Sequence, residues 1–248
     1  MNHPAGRPGR LALGFLYPGY AAEDDYPRMA AMAGAPVVAE VIHTSVGEDA
    51  HRIDALLDLG APFRLREGAA ALQSKAVRAI VWACTSGSFV YGWQGAHEQV
   101  AELEKTFGIP SSSTSLAFAE AVRALGLRRV AIAATYPEDV SACFEDFLEA
   151  AGIEVVRTGH QDILTAEEVG GLGHDRVLRM IRENDDPRAQ AVLVPDTALH
   201  SAAWLEELDA IAGKPVLTAN QVSFWKALRL AGDSNPRDGL GALLRAAA

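Results

Sequence analysis

The 248-residue chain is 49% hydrophobic and carries a formal net charge of −10 at neutral pH. That apolar content excludes a disordered chain, and the acidic balance without any Lys/Arg-rich run excludes nucleic acid as a partner. No apolar stretch is long enough to span a bilayer, and two cysteines at unrelated positions, Cys84 and Cys143, read as reduced thiols of a cytoplasmic protein rather than as a disulfide framework.

In chain order, the start MNHPAGRPGR is short, basic and rich in Pro and Gly, and the apolar run after it is cut off by Tyr17-Pro18-Gly19. It lacks the apolar region and cleavage site of a signal peptide and reads as a frayed tail. A strand over 11–16 then runs into Tyr17-Pro18, and the acidic Glu23-Asp24-Asp25 reads as a solvated loop, with a lid as the alternative. Strands follow over 36–42, 79–83, 129–134, 154–156, 191–194 and 215–217, as short apolar runs suited to buried parallel pairing. Helical patterns lie between them over 67–75, 96–106, 116–125, 137–150, 166–182, 201–211 and 222–231. Gly108, Gly126, Gly152, Gly213 and Gly232 each follow a helical pattern within two residues, where glycine ends helices.

The two halves echo one another. Arg78–Thr85 matches Gln190–Thr197 at an offset of 112 (190 − 78), which sets Cys84 opposite Asp196. Gly108-Ile109-Pro110 leads to Phe118, Ala121, Val122, Arg123 and Gly126, as Gly213-Lys214-Pro215 leads to Phe224, Ala227, Leu228, Arg229 and Gly232. A third echo pairs the strand before Tyr17-Pro18 with the strand before Tyr136-Pro137. Three echoes in one order imply a duplicated α/β unit: two pseudo-symmetric, doubly wound parallel-sheet lobes with a shared cleft between them. The division expected is 1–107 plus 219–248 for one lobe and 108–218 for the other. Ligands of such sheets bind beyond the carboxyl ends of the strands, where Tyr17, Cys84, Tyr136 and Asp196 fall.

Cys84 ends an apolar strand and is followed at once by Thr85, Ser86, Gly87 and Ser88, where a helix begins. A helix N-terminus favours thiolate over thiol, and its amides can hold a carboxylate. The hydroxyls of Thr85, Ser86 and Ser88 are equally suited to capping that helix. Asp196, with Thr197 beside it, precedes the pattern over 201–211 and suits either an N-cap or an acid/base group. Tyr136 can donate to a substrate oxygen or close the cleft wall. Cys143, among Phe144 and Phe147, reads as core. His97, His160, His174 and His200 show no metal-ligand spacing, Gly170-Gly171-Leu172-Gly173 lacks the preceding strand of a nucleotide loop, and Cys84–Ser88 is no serine-hydrolase elbow.

With these segments in view, ACTSGSFVYG, SSSTSLAF, AATYPEDV and FWKALRLAG resemble the aspartate/glutamate racemase superfamily, nearest its maleate cis–trans isomerase and arylmalonate decarboxylase branch. The resemblance covers nearly the whole chain. It implies two pseudo-symmetric lobes, no metal or organic cofactor, and carbanion or thiol-adduct chemistry on a small carboxylate held between the lobes. It also implies substrate-binding roles for Thr85, Ser86, Tyr136, Thr197, Tyr17 and Pro18 around catalytic Cys84 and Asp196. The chain departs from the branch in three ways. Isomerases and racemases of the superfamily generally carry two facing cysteines, and here the second is Asp196. The decarboxylase has glycine at the first place and cysteine at the second, the opposite situation. The loop Tyr17-Pro18-Gly19-Tyr20 lacks the asparagine with which maleate isomerases hold one carboxylate. The expected function is therefore a cofactor-independent isomerase or racemase of a small mono- or dicarboxylate. A malonate decarboxylase, favoured by the helix over 224–232, and a carboxylate-binding protein without catalysis are the alternatives. Assembly into a homo-oligomer is left open.

Overall fold

Two short, wholly apolar strands, one in each half, seed the architecture. In the computed structural model, which describes residues 9–246, both lie at the inside of a four-stranded parallel sheet. The first half runs β1 (Leu11–Pro18), α1 (Asp25–Ala33), β2 (Val37–Thr44), α2 (Ile53–Leu59), α3 (Pro62–Leu72), β3 (Ile80–Trp82), α4 (Ser86–Phe89), α5 (Gly92–Phe107), β4 (Ser111–Ser113) and α6 (Thr114–Ala124). The second runs β5 (Arg129–Ala133), α7 (Glu138–Ala150), β6 (Glu154–Gly159), α8 (Ala166–Gly170), α9 (His174–Asn184), β7 (Ala191–Val194), α10 (Leu205–Ala212), β8 (Val216–Thr218) and α11 (Ala219–Leu230), with α12 (Gly241–Arg245) after it. The sheet orders are β2-β1-β3-β4 and β6-β5-β7-β8, the same winding twice. The expected α/β fold of two pseudo-symmetric parallel lobes is what the chain forms. Most of the expected N-terminal tail, residues 1–8, lies outside the described residues.

Strand registers refine the echoes. Ile80 lies opposite Ser111, and Val192, its counterpart at offset 112, lies opposite Val216. That gives 105 (216 − 111), the same offset as Gly108 to Gly213. The first strands differ: Gly14 pairs with Ile80 and Ala131 with Val192, an offset of 117 (131 − 14) rather than the 119 that matches Tyr17 to Tyr136. Tyr136 thus stands two residues farther along its strand end than Tyr17 does. The two phenols serve different contacts as a result.

Several elements depart from the expected pattern, each for a local reason. β4 is Ser-Ser-Ser, with no apolar signal; pairing with β3 makes it a strand of the first sheet, on the far side of the expected 107/108 boundary. The expected helix 166–182 is broken at Gly170-Gly171-Leu172-Gly173, where three glycines forfeit helix propensity. The expected helix 67–75 is the second half of α3 plus a 3₁₀ turn. α11 starts at Ala219 because Thr218 and Gln221 form a reciprocal capping box.

The acidic loop is also corrected. Asp25 opens α1 and is buried, with its Oδ2 accepting from the Ser201 N–H at 2.8 Å, the Ala202 N–H at 3.1 Å and Asn220 Nδ2 at 3.1 Å. Those donors belong to the second half, so Asp25 fastens the lobes together. Burial raises its pKa, and the donated hydrogen bonds oppose that rise. Beside it, Tyr26 donates to Asn220 Oδ1 at 3.0 Å and stacks on Phe15, whose ring also faces Phe224 of α11. One continuous core results, joining Leu13 and Phe15 of the first sheet to Leu193 and Leu217 of the second. Asp25→Ala leaves the buried N–H groups of Ser201 and Ala202 without an acceptor and is expected to cost about 2–4 kcal/mol, with Asp25→Asn costing less. Urea denaturation checks this; an unchanged midpoint for the alanine variant would refute the fastening role.

Candidate active site

Cys84 stands just past β3, whose residues are all buried and whose register continues through the Ala83 N–H to the Leu16 carbonyl at 2.8 Å. The loop beyond it is held by close backbone packing: a Cβ on Gly60 would come within 2.0 Å of the Gly87 carbonyl. Gln99 Nε2 donates to both carbonyls, at 2.8 Å to Gly60 and 3.0 Å to Gly87. The Gly87 N–H in turn donates to Cys84 Sγ at 3.3 Å, and Ser86 Oγ lies 3.8 Å from it.

The thiolate expected from the sequence is not favoured here. α4 is a single turn, too short for a substantial dipole, and Cys84 is only 3% exposed. Burial pushes its thiol up to about 12; the Gly87 N–H and Ser86 oppose this, and the charge of Asp196 adds to it. Against the ordinary value of 9.0, the thiolate fraction at pH 8 falls about 10³-fold. Iodoacetamide labelling of Cys84 at pH 8 is therefore expected to be orders of magnitude slower than labelling of a free thiol, and labelling at the free-thiol rate would contradict the burial. Because the folded state holds this proton more tightly, its contribution to stability is complete below the unfolded pKa and is lost as pH climbs towards the folded one.

Capping by hydroxyls is likewise not what Thr85 does. It occupies the N-cap of α4 without a side-chain cap bond, and its buried Oγ1 has no hydrogen-bond partner among the described residues. Ser88 is engaged elsewhere, donating to Ser113 Oγ at 2.8 Å.

Asp196 occupies the matching position past β7 and is 4% exposed. α10 begins only at Leu205, so Asp196 is not its N-cap. Instead its Oδ1 accepts from the Ala198 N–H at 2.9 Å, closing a side-chain turn, while Oδ2 accepts from the Thr135 hydroxyl. Tyr17 donates to the Thr197 carbonyl at 3.0 Å across the lobes and accepts from the Ala22 N–H at 2.9 Å. Tyr136 donates to the Pro195 carbonyl at 2.6 Å within its own lobe. Burial raises the pKa of both phenols, so each stays a neutral donor.

A cavity of about 140 Å³ brings these groups together. Tyr17, Pro18, Cys84 and Ser86 line it from the first lobe, and Asp196 and Thr197 from the second. Thr85 and Tyr136, expected to touch substrate, are absent from the lining. Tyr20, Val46, Leu56 and Leu59 form an apolar side, and no Lys or Arg lines the cavity among the described residues. Two further carboxylates at the rim are already engaged. Glu48 is paired with Arg52 at 2.9 Å, and Asp49 accepts from the N–H groups of Ala166 and Glu167 at 2.9 and 3.2 Å. No cluster of three or more metal-ligating side chains occurs among the described residues.

One lining residue escapes a reading of the sequence. His51 is buried, with Nδ1 2.8 Å from the Ile163 carbonyl oxygen and Nε2 3.9 Å from Asp196 Oδ2. It belongs to neither strand end nor motif, and a lone histidine between Ala50 and Arg52 carries no pattern to find it by.

The comparisons with known proteins agree on this architecture. The family model described as arylmalonate decarboxylase matches residues 63–244. An arylmalonate decarboxylase from Bordetella bronchiseptica is 26% identical over 175 residues, covering 69% of this chain and 73% of that protein. Among solved structures, the maleate isomerase Iso from Pseudomonas putida S16 superposes with a TM-score of 0.85 at 19% identity, over 96% of this chain and 99% of that one. The Nocardia farcinica maleate cis–trans isomerase, solved as a cysteine-to-serine mutant with a covalently bound succinylcysteine intermediate, reaches 0.87 at 21% identity, over 96% and 99%. An arylmalonate decarboxylase structure gives 0.74 at 24%, over 94% and 98%. These likenesses carry the fold, and the family match spans the Cys84 loop, the Asp196 loop and the helices that join the lobes. The chain belongs to the arylmalonate decarboxylase family.

Proposed function

We propose that this protein is a racemase or isomerase of a small carboxylate, working without a cofactor by moving a proton at the carbon beside the carboxyl group. The observation that carries the proposal is the placement of Cys84 and Asp196 at equivalent strand ends of opposite lobes, both facing one cavity. Two proton-carrying groups on opposite sides of a bound carbon can remove its proton from one face and return one to the other. Cys84 is held as a thiol, which suits delivery of a proton to a carbanion better than nucleophilic addition to a double bond. The Ser86 hydroxyl, which lines the cavity, offers a hydrogen bond to the carboxylate, whose charge grows as the proton leaves. With no cation in the lining, the cavity suits a single carboxylate with an apolar substituent better than a dicarboxylate such as maleate.

Decarboxylation of a substituted malonate is the second reading, supported by the family match and by the same protonated thiol, which could quench the carbanion left by CO₂. A substrate panel separates the two. Interconversion of enantiopure 2-arylpropanoates without CO₂ release from arylmalonates supports racemisation; CO₂ release alone overturns it.

A further inference from the structure

We infer that His51 carries the proton on the Asp196 side of this site: its Nε2 takes and returns the substrate proton, and Asp196 acts through it as its charge partner. This deepens the proton-transfer reading above and rests on it. The ring is fixed from three directions. Nδ1 lies 2.8 Å from the Ile163 carbonyl oxygen, the His51 N–H donates to the Leu164 carbonyl at 2.7 Å, and the Tyr136 ring meets it edge-on at 4.9 Å. A carbonyl oxygen only accepts, so Nδ1 carries a proton in either charge state and Nε2 is the atom left to bind or release one. The side chain is 6% exposed, lines the cavity, and sets Nε2 3.9 Å from Asp196 Oδ2.

Asp196 itself is poorly arranged to donate a proton. Each of its oxygens already accepts a hydrogen bond, from the Ala198 N–H and from the Thr135 hydroxyl, so both are committed to the protein. A carboxylate so held is a suitable partner for an imidazolium. The other ionisable groups around His51 are Tyr136 behind it, Cys84 across the cavity, and Glu48 and Asp49 on its own loop. Glu48 is taken up by Arg52, and Asp49 by the amides that open α8.

The proton balance closes with these groups alone. The Nε2 lone pair takes the proton from the carbon beside the carboxylate, and the C–H electron pair moves into the carboxylate as an enediolate. Cys84 Sγ–H then gives its proton to the opposite face, leaving a thiolate and an imidazolium beside Asp196. A turnover in the reverse direction, or exchange with water, returns both protons.

The test measures exchange of the α-proton of a 2-arylpropanoate with D₂O by wild type, His51→Asn and His51→Ala. Asparagine can keep the donor to the Ile163 carbonyl while removing the titrating nitrogen. The expected result for His51→Asn is a ~10²-fold or greater fall in kcat with little change in KM. The acidic limb of the kcat–pH profile should disappear with it, and added imidazole should restore part of the activity of His51→Ala. Exchange by wild type together with equal kcat and an unchanged pH profile in His51→Asn overturns the role of His51 alone. A wild type that exchanges no proton overturns both this role and the proton-transfer reading beneath it.

Discussion

Cys84→Ala is expected to lose at least ~10³-fold in turnover while keeping the fold. The thiol contributes little to stability: it accepts one long hydrogen bond from the Gly87 N–H, and its loop is held independently by Gln99 and by the Gly60–Gly87 backbone contact. Removing one buried sulfur from a well-packed site costs about 1–2 kcal/mol, within the margin of an ordinary domain. In the chemistry proposed, however, neither other hydroxyl that the first lobe's strand ends bring to the cavity replaces it: Ser86 is a far weaker acid, and the Tyr17 hydroxyl is committed to the Thr197 carbonyl. A melting temperature within a few degrees of wild type, together with lost racemisation, is the expected pair of observations. An alanine variant with full activity would remove Cys84 from the mechanism.

Asp196→Asn is expected to fold normally and to lose at least ~10²-fold in activity. Asparagine can keep the acceptor for the Ala198 N–H, and the Thr135 hydroxyl can turn to accept from its amide, so the turn survives. What asparagine cannot supply is negative charge or a titrating group. Asp196→Cys, which restores two facing cysteines, is expected to retain part of the activity. Steady-state kinetics on enantiopure substrate read both variants; wild-type turnover in Asp196→Asn would make this residue a structural turn and nothing more.

The duplication is legible because each lobe places its cavity-facing residue just past a short, buried apolar strand, and such strands leave a strong pattern. Cys84, Asp196 and Tyr17 follow from that pattern, and Pro18 from the resemblance to the superfamily. Asp25 reads as solvated because the donors that bury it, at 201–202 and Asn220, lie about 175 residues or more away in sequence. β4 is invisible because three serines become a strand only through their partner, β3. The thiol's protonation is hidden for another reason. A helix start is readable in sequence, but its length and the depth at which the sulfur is buried are not, and burial outweighs the dipole. His51 reaches the cavity only because its loop crosses to the carbonyls of Ile163 and Leu164, a tertiary contact with no local signature.

The central claim is two-sided proton transfer at the carbon beside a carboxylate, and solvent isotope exchange tests it most directly. Enzyme is incubated in D₂O with one enantiomer of a 2-arylpropanoate, and the α-position is followed by proton NMR and chiral chromatography. The expected result is deuterium entering the α-position of the inverted product at the rate of inversion, with both signals lost in Cys84→Ala. Unchanged α-protons and retained configuration, in a folded enzyme that releases CO₂ from an arylmalonate, would contradict the account.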